Sequence, residues 1–166
     1  MTSQLCKNSV WVAKHSNCPS NYWHMIVRDM MHRDHMYMIN IGANKGYGIN
    51  EFLLEHNPEW NVSQQLWKKT TNMGCGVCSP CNSIVSRGRL PIKSMYVIAV
   101  EMMLPTFINL QQTFEVMHVP GVVLHAAGGE SNGIAYEPFD VKAGNENIGV
   151  QQQGKGKAIP MLTVDS

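Results

Sequence analysis

The stretch MYMINIGANKGYGINEFLLEH, Met36 to His56, decides how this chain reads. It opens with a short apolar run from Met36 to Ile41, bounded by Asp34 and Gly42. A run of that length suits a strand covered on both faces, as in a parallel sheet. Gly46 and Gly48 delay the restart, and Ile49, Phe52 and Leu53 then begin a helix. A strand, a glycine-bearing turn and a helix make the opening unit of an α/β protein.

Upstream, SNYWHMIVRDMMHRDH offers a cap at Ser20 or Asn21, then apolar residues at Trp23, Ile26, Val27, Met30 and Met31. That spacing is one face of a helix, so residues 1–35 form a helical lead-in to the first strand. Downstream, SMYVIAVE (Ser94 to Glu101) is a second buried strand. Past Pro105 a helix follows through Phe107, Ile108, Leu110, Phe114 and Val116, and GVVLHAA (Gly121 to Ala127) is a third strand. The alternation predicts an α/β fold with right-handed crossovers. Residues 57–93 interrupt it as an insertion between the first helix and the second strand.

The chain has 166 residues, enough for a single domain with a sizeable core, and its 44% hydrophobic and 15% charged residues are ordinary for one. A net charge of +1 leaves no basic excess for phosphates, so nucleic acid is not an expected partner. The opening MTSQLCKNSVWVAKH lacks the apolar centre of a signal peptide, and no window approaches about 18 uninterrupted apolar residues. No membrane span is expected, and an intracellular, cytoplasmic chain is. Five cysteines, an odd number, fit a reducing compartment better than a disulfide scaffold. On that reading the sequon Asn61-Val62-Ser63 is an accident.

In a parallel sheet, ligands bind outside the carboxyl ends of the strands, beside the first strand-to-helix turn. That turn is NIGANKGYG. A dinucleotide fingerprint needs its second glycine two residues after the first, where this chain has Asn44, and no Gly-Lys-Ser/Thr makes a P-loop. What remains is Gly42-x-x-x-Gly46 with small Ala43, where backbone can approach a ligand that needs no pyrophosphate cradle. S-adenosylmethionine is such a ligand. Glu101, closing the second strand, is placed to accept both ribose hydroxyls of an adenosine. It stands 59 residues after Gly42, where a compact unit has about 20, and the insertion accounts for the difference.

These motifs resemble the FkbM-type S-adenosylmethionine-dependent methyltransferases. INIGANKGY is similar to the family's first motif, an apolar strand ending in (D/N)-h-G-A-N-x-G with h apolar. MYVIAVEMMLPTFINLQQ resembles its second strand, acidic residue and following helix. VVLHAAGGESNGIAYE resembles its third strand and the small-residue turn after it, GNENIG its glycine/asparagine loop, and IPMLTVDS the segment before its fourth core strand. The resemblance implies a Rossmann-like methyltransferase sheet. Within it Asn40, Gly42, Ala43, Asn44 and Gly46 shape the methionine side of the cofactor, Glu101 holds the ribose, and Ala127 borders the adenine. Asn40 stands where many members carry aspartate. Ser166 precedes the family's fourth strand, so the resemblance implies the amino-terminal part of a domain, incomplete at its carboxyl-terminal side. On that basis the 166 residues alone are expected to be inactive and to self-associate through the exposed edge of MYMINI.

Other residues have plainer readings. His125, inside an apolar run, reads as a hydrogen-bonded core histidine rather than a base. The 12 methionines read as adaptable packing. Cys75, Cys78 and Cys81 in CGVCSPC could gather three thiolates, but a structural zinc wants four ligands, and His56, Cys18 and Cys6 are only loose candidates for the fourth. Free thiols, with no metal, are the preferred reading.

The expected function is transfer of a methyl group from S-adenosylmethionine to a hydroxyl oxygen of a small molecule or glycan. The catalytic base and the oligomeric state are not identified. The alternative is a non-catalytic Rossmann-like binding module whose cysteine insertion contacts a partner.

Overall fold

A computed structural model of the chain describes residues 35–73, 94–144, 150–151 and 153–163. The lead-in helix, the loop GNENIG beyond Gly144 and the cysteines of residues 75–81 lie outside them. Strands β1 (His35–Ile41), β2 (Ser94–Glu101) and β3 (Gly121–His125) form a parallel sheet in the order β1-β2-β3. Ile41 pairs with Val100, and Glu101 with His125, so the strands end together at their carboxyl ends. Helices α1 (Tyr47–His56) and α2 (Gln64–Thr71) connect β1 to β2, and α3 (Leu104–Met117) connects β2 to β3. The expected α/β alternation is present. Pro105 falls in the first turn of α3, where its missing N–H has no helical partner to lose.

One face of this sheet is sealed. Met36 of β1, Met95, Val97 and Ala99 of β2 and Val123 of β3 pack with Ile49, Leu53, Trp67, Leu110 and Phe114 of the helices in one apolar cluster. On the other face of β1, Tyr37, Ile39 and Ile41 are exposed, and the register-matched Tyr96 of β2 is exposed beside Tyr37. The expectation that β1 is covered on both faces is therefore corrected. Its side chains alternate between a buried or half-buried row (Met36, Met38, Asn40) and an exposed one (His35, Tyr37, Ile39, Ile41), and large apolar residues stand on both, so the run carries no clear period-2 signal.

The described part of the segment read as an insertion, residues 57–73, is built into the fold. Trp60, Val62 and Trp67 belong to the main core, and Trp67 is fully buried at the centre of α2. Ser63, the last residue of the sequon, caps α2 by accepting the Leu66 N–H at 3.1 Å. The buried Asn50 amide of α1 accepts from the Trp60 indole at 2.8 Å and donates to Gln64 at 3.0 Å, which ties α1 to α2. His56, one of the loose ligand candidates, is buried with its ring 4.5 Å from that of Phe52.

A second, small sheet was not foreseen. Strands β4 (Ala127–Gly128), β5 (Gly133–Pro138) and β6 (Gly156–Leu162) pair in the order β4-β6-β5, with β6 parallel to β4 and antiparallel to β5. Its apolar core is slight: Ala127, Ala135 and Ile159, with Met102 and Met161 packed against them. The segment beginning IPML, expected only to lead into a strand, is itself part of β6. No helix among the described residues is long and apolar enough to cross a membrane.

Candidate functional site

The turn from β1 to α1 is forced into shape by three left-handed residues. Gly42 has φ 71°, Asn44 φ 48° and Gly46 φ 71°, and of the side chains other than glycine, asparagine is among the few that tolerate this region. The two glycines do different work. A Cβ built on Gly42 would meet nothing, so that backbone faces open space. A Cβ on Gly46 would lie 2.7 Å from Leu110 Cδ1 and 2.8 Å from Trp67 Cζ2. Gly46 is thus a packing residue, where helix α1 starts against the core.

The turn's N–H groups are largely committed. Gly42 and Ala43 both donate to the Val100 carbonyl, at 2.9 and 3.0 Å, and Gly46 donates to Ala43 at 2.9 Å. Asn44 donates its backbone N–H to Glu101 Oε2 at 2.7 Å. With four N–H groups pointing into the fold, the turn is a poor phosphate cradle. The absence of a dinucleotide fingerprint in the sequence has this structural counterpart.

Glu101 is the centre of the arrangement. It is 5% exposed at the end of β2, and its other oxygen, Oε1, accepts the Met103 N–H at 2.8 Å. Burial pushes its carboxyl above the ordinary glutamate value. The N–H groups of Met103, Asn44 and Met102 and the charge of nearby His125 pull the other way. Both oxygens take backbone N–H groups, Asn44 on Oε2 and Met103 on Oε1.

Beside Glu101 lies a cleft of about 370 Å³ at the carboxyl ends of the strands. Gly42, Asn44, Glu101 and Ala127 line it together, so the structure gathers these four of the seven residues singled out from the sequence. Ile41, Met102, Met103, Ala126, Gly128 and Val150 complete its lining. The remaining three do not line it. Asn40 is half-buried and lies beside Gly48 at the start of α1, Ala43 is a core residue, and Gly46 packs on Trp67 and Leu110.

His125 is half-buried and hydrogen-bonded. Its Nε2 is 2.9 Å from the Met102 carbonyl and 3.1 Å from Glu137 Oε2, and its ring stacks on Phe107 with centroids 5.0 Å apart. Glu137, on β5, escaped the sequence reading. Its 5% exposure and its bond from the Leu104 N–H at 2.9 Å make it a second buried carboxylate at the start of α3. The available signal was the strand GIAYEP, which places Glu137 on the same face as Ala135. Among the described residues no three His, Cys, Asp or Glu side chains are grouped as metal ligands.

Comparison with protein-family models, with curated proteins and with solved structures finds no match for this chain.

Proposed function

We propose that the cleft is an S-adenosylmethionine site, that the parallel sheet is part of a Rossmann-like methyltransferase domain, and that the acceptor is a hydroxyl of a small molecule or glycan. The observation that carries this reading is the buried Glu101 carboxylate at the end of β2, beside a turn whose open position is a glycine. The order of the sequence motifs, which resembles the FkbM-type family, supports it as well.

In this reading Glu101 accepts the two ribose hydroxyls, already held in place by the N–H groups of Asn44 and Met103. Gly42 leaves room for the methionine moiety to approach the backbone, and Ala126 and Ala127 leave room for the flat face of adenine. The commitment of the Gly42, Ala43, Asn44 and Gly46 N–H groups favours a ligand without a pyrophosphate. The bound cofactor supplies a methyl group activated by its sulfonium. The protein's contribution is then alignment and exclusion of water, with a base needed only for the hydroxyl proton.

Calorimetry with S-adenosylhomocysteine and with a nicotinamide dinucleotide tests the reading. It predicts saturable binding of the first and none of the second. Equal affinities, or binding of the dinucleotide alone, would overturn it.

A further inference from the structure

Three successive residues from the end of β2 into the first residue of α3 are each held by a buried or half-buried side chain from a different strand. The Met102 carbonyl faces His125 Nε2 of β3, the Met103 N–H is taken by Glu101 of β2, and the Leu104 N–H by Glu137 of β5. Since a carbonyl only accepts, Nε2 carries the proton, and it points between Met102 O and Glu137 Oε2. Phe107, one turn into α3, fixes the plane of the ring by stacking. Met102 and Met103 are walls of the cleft. Glu137 is the member with no local reason to be there: it lies 33 residues from Leu104 in sequence, on the small sheet, and a buried carboxylate is costly unless its hydrogen bonds are made.

We propose that Glu137 and His125 are positioning residues for the cleft. Together they brace the 102–104 turn, so that Glu101, which the Met103 N–H anchors, stays aimed at the ligand. The proposal rests on the reading of the cleft as an adenosine site. It makes the small sheet a functional support of the main one: moving β5 moves the turn that orients Glu101.

The test uses the full chain and three variants. Glu137→Ala removes the acceptor. Glu137→Gln keeps an oxygen for both Leu104 N–H and His125 Nε2–H. His125→Phe keeps a ring against Phe107 and drops the Nε2–H. In ligand-free protein the amide resonances of Met103 and Leu104 should shift in Glu137→Ala and stay near wild type in Glu137→Gln. Binding of S-adenosylhomocysteine should weaken about tenfold in Glu137→Ala, less in His125→Phe, and recover to within about threefold in Glu137→Gln. Ile159→Val, which thins the same small sheet without touching the brace, should leave the affinity unchanged. Unmoved Met103 and Leu104 amides in Glu137→Ala would overturn the proposal, as would an equal loss of affinity in Ile159→Val. A wild-type chain that binds no S-adenosylhomocysteine defeats the adenosine reading instead, and the amide resonances still decide whether Glu137 sets the turn.

Discussion

The two sheets are held by different physics. The parallel sheet β1-β2-β3 is anchored by apolar burial: a continuous cluster runs from Met36 through Val97 to Val123 and is sealed by Trp67, Leu53 and Leu110. The small sheet β4-β6-β5 buries only Ala127, Ala135 and Ile159 as its core, and its tie to the rest of the chain includes the Glu137 carboxylate on the Leu104 N–H. Non-directional burial makes the first a rigid platform, and a directional polar contact registers the second against it. The cleft lies where they meet, with Glu101 contributed by the platform and Ala127 and Gly128 by the small sheet.

The contrast breaks most severely at Trp67. It is fully buried, and its indole N–H donates to the Lys45 carbonyl at 2.9 Å inside the very turn that lines the cleft. Trp67→Ala should cost roughly 3–5 kcal/mol of unfolding free energy, measured by denaturant titration. It should also unseat Gly46, which packs on that ring. A loss under about 1 kcal/mol would mean that residues 57–73 contribute little to the core.

Glu101 probes the junction. Glu101→Ala should weaken S-adenosylhomocysteine binding by about 1.5–3 kcal/mol, the scale of hydrogen bonds to a charged acceptor. The raised carboxyl fixes the sign of the pH dependence. Folded protein holds this proton more tightly than unfolded chain does, so the group contributes stability at low pH, and that contribution is lost as pH rises from the ordinary glutamate value through the raised one. Ligand binding runs the other way: acidification through the same interval protonates the acceptor and weakens the complex. Glu101→Gln should flatten both profiles, and a wild-type profile that the substitution leaves unchanged would assign the titration elsewhere.

Smaller effects sharpen the comparison within the small sheet. Ile159→Ala removes the largest side chain of a slight core, so its cost should lie near about 2 kcal/mol, the lower end for such truncations. Phe139, 72% exposed at the end of β5, should tolerate Phe139→Ser within about 0.5 kcal/mol. Thermal melts of the two variants separate core from surface there.

What the sequence disclosed follows the same division. Apolar runs flanked by glycine and proline located β1, β2, β3 and α3, and the end of β2 pointed to Glu101. Helix α2 was hidden because QQLWKKTT carries only Leu66 and Trp67 as large apolar residues, and one of them, Leu66, is exposed. Its start signal was the cap at Ser63. Strand β5 was hidden because its pattern is inverted: Ile134 faces out at 64% exposure while Ala135 and Glu137 face in. Gly46 reads in the sequence as part of a turn whose backbone approaches a ligand. That its lack of a side chain serves Trp67 and Leu110 depends on tertiary contacts, which local sequence does not carry.

The most direct measurement of the cleft's role is a titration of the isotope-labelled chain with S-adenosylhomocysteine, followed through backbone amide resonances. The account predicts saturable shifts at Gly42, Asn44, Met103, Ala127 and Gly128, with Asn44 and Met103 moving because their N–H groups hold the carboxylate that meets the ribose. The exposed row of β1 and the far end of the β5–β6 hairpin should stay still. Shifts confined to those distant residues, or none at Asn44 and Met103 at saturating ligand, would contradict it.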